Sequence, residues 1–221
     1  MPNTFSADSI EYFQEMYDSN FSTTRYHELK HLFNDNVIPE IVSILEQVKK
    51  KISKTYRNLS FEGDDEHLGR GYGQAGPAKF GWGAIVREGR TKHSDLQLFL
   101  ALRHDYIRFG FYLPNTGDFQ TVFNSTNQRI LGNRVLFDDM LEDLKSEHGI
   151  VLGRKTMAME SGEPAPLRRN YPDYPDVDIL EEKELSILGG IPTHKASATN
   201  LVELLTEKFL ALKPMYDFLI I

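Results

Sequence analysis

The sequence predicts an α+β fold: a central antiparallel meander of three to four strands flanked by N- and C-terminal helices. Three observations predict it. Apolar residues recur at helical spacing near both ends of the chain, and two runs between residues 95 and 114 alternate with a period of two. Those two runs also lie so close together that only an antiparallel hairpin can join them. Helices at both ends around such a sheet make the α+β class.

Taking the elements in order, Ile10, Phe13, Met16 and Tyr17 form an apolar stripe behind a polar start. Thr24 is placed to cap a second helix with Tyr26, Leu29, Leu32 and Phe33 on one side, and Asn34-Asp35-Asn36 should interrupt it. Pro39 suits the first turn of a third helix, where a missing N–H costs nothing. Ile41, Ile44, Leu45, Val48 and Ile52 give that helix its buried stripe, and lysines in KKKISKTYR complement the dipole at its end.

A glycine-rich break follows, and then strands. In DLQLFLALR, Leu96, Leu98, Leu100 and Leu102 alternate with Gln97, Phe99, Ala101 and Arg103. In DYIRFGFYLP, Ile107, Phe109, Phe111 and Leu113 alternate with Tyr106, Arg108, Gly110 and Tyr112. KFGWGAIVRE should precede them as a strand, and FQTVFN is a candidate to follow. RVLFDDMLEDLKSEHG reads as a helix stopped by Gly149, and MESGEPAPLRRNYPDYPDVD as a long loop. In the closing helix Asn200 with Glu203 resembles a capping box, and Pro214 should kink or end it. We therefore read 1–221 as a single α+β domain: helical over 1–58, sheet-rich over 79–125, a helix and long loop over 134–180, and a C-terminal helix over 199–220.

At 221 residues the chain can build one sizeable core. It has no cysteine, which excludes disulfides and thiol nucleophiles. No apolar run is long enough to span a bilayer, and MPNTFSADSIEYF lacks a basic then apolar leader, so the expectation is a cytoplasmic protein with no membrane partner.

The net charge of −7 is unevenly spread. Residues 1–66 hold 7 basic and 12 acidic side chains, net −5; residues 67–109 hold 7 and 3, net +4; residues 110–221 hold 11 and 17, net −6. The central segment is thus a positive island, with His67, His93 and His104 inside it. Arg70, Lys79, Arg87, Arg90 and Lys92 interleave there with Tyr72 and the only tryptophan, Trp82. Cations hold a phosphate backbone and aromatic faces stack on exposed bases, so these seven residues are the candidate nucleic-acid contacts. The ordinary alternative for 79–87 is a core strand with charged ends.

Three other motifs carry possible chemistry. HELKH spells the zinc-peptidase motif, with His27 and His31 as ligands and Glu28 as base. We read it instead as a solvated helix face. No second motif singles out a third ligand, Glu40 and Glu46 being merely available; what precedes it looks helical; and Lys30 would sit beside a dication. GYGQAG, Gly71 to Gly76, is formally G-x-G-x-x-G, but an acidic loop precedes it and Pro77 follows, the wrong setting for a dinucleotide turn. Asp173 with Glu181-x-Lys183 matches the carboxylate–lysine set of Mg²⁺-dependent nucleases at a spacing short for two strands and a turn. No catalytic residue, metal ligand or cofactor is assigned.

The N-terminal helices, "RFGFYLP", "PDYPDVDILEEKEL" and "FLALKPMYDFL" resemble a widespread bacterial α+β domain family of unknown function, over most of the chain. That family's basic central run is absent here. The basic central sheet ending in "LVELLTEKFLALKPMYDFL" is also similar in style to N-terminal modules of McrB-type restriction GTPases, which recognise DNA ahead of a motor domain. The positive island leads to the expectation of a non-catalytic recognition module that binds nucleic acid or another polyanion through its basic central sheet, and the resemblance to restriction modules implies a defence or restriction assembly. A metal-dependent hydrolase is the alternative. A domain that binds a protein partner through acidic surfaces is a further one.

Overall fold

The computed structural model describes residues 2–57, 59–60, 68–70, 80–90, 95–114, 120–153 and 184–220. The fold is α+β. Its sheet has five principal antiparallel strands in the order β3 (Gly81–Arg87), β4 (Gln97–Leu102), β5 (Tyr106–Pro114), β7 (Glu184–Pro192) and β6 (Val151–Gly153). Two short strands, β1 (Leu59–Ser60) and β2 (Leu68–Arg70), share the outer edge of β3. The expected meander is β3–β4–β5; the sheet is wider than predicted because β7 and β6 extend it.

Seven α-helices accompany the sheet among the described residues: α1 (Ala7–Asp18), α2 (Thr23–Leu32), α3 (Ile38–Ile52), α4 (Gln120–Gly132), α5 (Arg134–His148), α6 (Leu201–Ala211) and α7 (Lys213–Ile220). From Gln120 onward FQTVFN begins α4 and is not a strand. Its β-prone residues yield to packing, since Phe123, Thr126 and Ile130 are buried at helical spacing. None of the described helices is long and apolar enough to cross a membrane.

The local signals were partly displaced. Ser22, not Thr24, caps α2, accepting from the Arg25 N–H at 3.4 Å. Asn34-Asp35-Asn36 does not interrupt the chain; a π-helical turn, Phe33–Val37, runs α2 into α3. The wider turn puts Phe33 and Val37 into the core and leaves Asn34 and Asp35 in water. Glu40 is buried and receives Ser6 N–H at 3.1 Å and Ser9 Oγ–H at 2.6 Å, which ties α3 to the start of α1. Asn200 caps α6 by accepting Glu203 N–H at 3.2 Å, but the Glu203 carboxylate completes no box and pairs with Lys51 at 2.6 Å instead. The helix breaks at Leu212, so Pro214 stands in the first turn of α7. Gly149 stops α5 as expected.

The helices pack on one face of the sheet. Registers place Ile85, Leu98, Phe111 and Ile187 in one row across that face, and they are fully buried with residues of α1 and α3–α7 in one cluster. The opposite face carries a smaller cluster of Ala84, Phe99, Ala101 and Leu188, against which Trp82 and Tyr112 pack.

β5 and β7 pair over nine residues, and Gly110 makes this possible. Its φ is 141°, and an added Cβ would lie 2.1 Å from the Ile187 carbonyl oxygen. That approach is backbone to backbone, so no side-chain rotation relieves it. Gly110→Ala should therefore cost about 3 kcal/mol or more, lowering Tm by roughly 10 °C in a domain of this size; a calorimetric Tm within about 2 °C of wild type would show that the strand pair accommodates a side chain.

Candidate polyanion-binding surface

The surface begins at the end of α3. Five cations fall within residues 49–57: Lys49, Lys50, Lys51, Lys54 and Arg57. The helix closes there because Ser53, Thr55 and Tyr56 N–H groups turn back onto the Lys49 and Ile52 carbonyls at 2.9 Å, while Ser53 Oγ–H donates to Lys50 O. Cations near these final carbonyls are favoured by the dipole.

Tyr56 fixes the turn. Its ring is buried against Tyr216, with centroids 4.9 Å apart and edge-to-face, and its hydroxyl donates to the Phe209 carbonyl. Burial raises its pKa well above the ordinary phenol value, so it stays a neutral donor. With Tyr56 pointing in, Lys54 and Arg57 on either side point out and are exposed.

β1 then brings this basic turn to the sheet. Leu59 pairs with Arg87 and Ser60 with Val86, so the antiparallel register leads Arg57 toward Gly89 and Arg90. The chain reverses at Gly89, φ 74°, where Arg90 N–H donates to Arg87 O at 3.0 Å, and Arg90 is exposed. Lys49, Lys50 and Ser53, with Glu46, line a shallow depression of about 300 Å³ at the end of α3. Lys49, Lys50, Lys54, Arg57 and Arg90 make no ion pair among the described residues, whereas Lys51 is held by Glu203. Among the described residues, the acids on these two segments are Glu46 and Glu88, while Asp217 near Tyr56 is held by Lys213.

The seven residues singled out in the sequence are not gathered together. Tyr72, Lys79 and Lys92 lie outside the described residues, as do His67 and His93. Arg70 stands in β2 opposite Gly81. Trp82 is half-buried on the face away from the helices, while alternate strand positions put Arg87 on the helical side. Trp82 and Arg87 therefore cannot clasp one ligand. Arg87 is also committed to Asp95, which is fully buried: the carboxylate accepts from Arg87 N–H at 3.1 Å, from Nε at 2.9 Å and from Nη2. This bonding raises the Arg87 pKa. Arg90 alone of the three described side chains presents an open charge.

Lys50, Lys54 and Arg57 were missed as candidates because KKKISKTYR reads adequately as a helix ending. The available signal was the density of cations immediately before a strand.

HELKH lies on α2, which buries none of its residues; His27 and His31 are exposed. Glu28 is paired with Arg25 at 2.7 Å, and the His31 ring Nδ1 lies 3.0 Å from Glu28 O. Among the described residues, no group of three His, Asp or Glu side chains is placed to hold a metal ion. Gly71–Gly76, Asp173, Glu181 and Lys183 lie outside the described residues.

His104, at the β4–β5 turn, is enclosed between α1 and the sheet. The Tyr17 ring stacks on it at 3.8 Å and 8°, and Asp105 Oδ2 lies 3.5 Å from Nε2. Burial lowers its pKa, opposed by Asp105 and Asp18 and assisted by Arg103 and Arg108.

Neither a protein-family model nor a curated protein sequence matches the chain. The functional reading therefore rests on geometry and charge.

Two outcomes are expected. Arg87→Ala leaves the Asp95 charge buried and unpaired, so denaturant unfolding should show a loss of about 2 kcal/mol, moderated by the partial exposure of Arg87. Adding Asp95→Ala should recover part of that loss; no recovery would mean the pair is not what matters. For His104, a depressed folded pKa means that the unfolded chain takes up its proton first as pH falls below about 6.5. Its contribution to stability is complete above that pH and is lost as pH falls through the folded pKa. Wild-type Tm should thus fall more steeply than that of His104→Gln between about pH 6.5 and 5, and parallel curves would refute the assignment.

Proposed function

We propose that this chain is a non-catalytic recognition module that binds nucleic acid, or another polyanion, through the basic surface joining the end of α3 to the β3 turn. One observation carries the reading: Lys50, Lys54 and Arg57 from the end of α3, and Arg90 from the turn after β3, are exposed and make no ion pair among the described residues. Side chains of this kind follow a phosphate backbone by charge and release its counterions on binding. Base contacts, which would specify sequence, are not part of the proposal. A cytoplasmic setting and membership of a defence or restriction assembly belong to the same proposal, the latter supported by the likeness in style to restriction modules.

The testing experiment is fluorescence anisotropy with labelled single- and double-stranded DNA, plain and methylated, over a salt series. The expected result is binding that weakens steeply with salt. Replacing Lys54, Arg57 and Arg90 together by alanine should weaken binding about tenfold or more. It should also flatten the log–log salt slope by about 0.9 for each duplex phosphate that is no longer neutralised. Unchanged affinity and slope in the triple variant, or no binding to wild type near about 50 mM salt, would remove the proposal.

A further inference from the structure

A second surface, of opposite character, runs along α5. Its sequence RVLFDDMLEDLKSEH carries two stripes at spacings of four, and residues so spaced share one helix face. One stripe is Val135, Asp139, Asp143 and Glu147. The neighbouring one is Leu136, Met140, Leu144 and His148.

The apolar members are unusually open at one end. Val135 is 76% exposed and Leu136 is 53% exposed, and Leu131, close to the end of α4, is 46% exposed. Further along, the apolar stripe sinks into a cleft of about 200 Å³, where Met140 and Leu144 face Ala211, Pro214 and Met215 of the α6–α7 break. Val135 to His148 spans about 20 Å of helix. The surface is thus an apolar track that deepens into a groove.

The bordering acids supply a sign. Asp139 and Asp143 form no ion pair among the described residues, and Glu147 reaches only His148 Nε2, at 3.8 Å. Among the described residues, the cations of α5 and of the start of α7 are engaged: Lys145 with Glu142, Arg134 with Asp138, and Lys213 with Asp217. Asp143 and Glu147 both line the cleft.

From this we propose that the α5 surface docks a cationic amphipathic helix of a protein partner, its apolar anchors in the groove and its lysines or arginines against Asp139, Asp143 and Glu147. Helix-in-groove recognition uses anchors at i, i+3 or i+4, and i+7, which a track of this length accommodates. Charge complementarity selects this occupant. An anionic membrane or a nucleic acid would be repelled by the acidic stripe. A second copy of the chain carries net charge −7, and the apolar face of its own lysine-bearing helix, α3, is already in the core.

The probe is a fluorescein-labelled amphipathic peptide of about 14 residues, the length of the track. It carries leucines on one face and lysines on the flanks, and its counterpart has glutamate for every lysine. The lysine peptide should bind at least tenfold more tightly than the glutamate peptide. Asp143→Lys with Glu147→Lys should weaken it about tenfold, and Val135→Ser with Leu136→Ser should also weaken it. All four positions are on the open side of α5, and circular dichroism melts should stay close to wild type. Glu11→Lys with Asp35→Lys, exposed acids elsewhere, should leave binding unchanged. Equal binding of the two peptides, no effect of reversal at α5, or equal weakening from the distant reversal would each overturn the proposal. So would a dimer in sedimentation that Val135→Ser with Leu136→Ser disperses, because the face would then belong to a second copy.

Discussion

The pairing of β5 with β7 is the constraint on which the rest of the structure depends. Nine residue pairs, from Tyr106 with Pro192 to Pro114 with Glu184, join strands that have residues 115–183 between them. Among the described residues β6 is attached to the sheet only through β7, and the 3-10 turn that leads into α6 begins where β7 ends. The register also sets parity. Ile107, Phe109, Phe111 and Leu113 face the helices, while Arg108 and Tyr112 face away. A slip of one residue would drive the Arg108 guanidinium into the apolar layer of Tyr216 and Phe209, a far larger penalty than any local mismatch. Gly110 permits the close approach, and parity makes it specific.

That parity was legible in the sequence for β5, where large apolar residues alternate with polar or small ones. In β4 the alternation was equally regular but meant something different. All six of its residues are buried, so the period reflects two apolar faces of different size rather than one dry and one wet. β7 was not legible at all. SILGGI offers two consecutive glycines in place of alternation, and those glycines are needed where Phe109 and Tyr106 occupy the space that their side chains would fill. The helices were read more reliably than their ends, because burial stripes extend over several turns while a cap depends on one hydroxyl.

For the candidate site the sequence located the right kind of residue and the wrong grouping. Charge counting found a positive island in 67–109, but a strand divides its residues between two faces, so Trp82 and Arg87 part company. Asp95, close in sequence to Arg87, then neutralises it, a pairing that composition alone does not show. Conversely, Lys54 and Arg57 sit in a segment that is acidic on average. They reach Arg90 through β1, a two-residue strand too short to leave a periodic trace. Composition averages over sequence neighbours, whereas a binding surface averages over spatial ones.

The same distinction is why a net charge of −7 is compatible with the proposed surface for a polyanion. At physiological ionic strength the Debye length is about 8 Å, so a phosphate approaching Arg57 and Arg90 senses mainly the charges within a few side-chain lengths. Among the described residues of the same two segments those are Lys49, Lys50, Lys54 and the acids Glu46 and Glu88, an excess of positive charge. The acids of α5 lie on a different part of the surface and are screened. At very low salt the screening length grows to roughly 30 Å, and a polyanion then meets the negative field of the whole molecule as well. At the proposed surface salt would thus act in two directions: it would compete for the phosphates, and it would hide the acidic remainder. The two surfaces need not interfere with each other under cellular conditions, because the ionic medium separates them electrostatically even though a single core holds both.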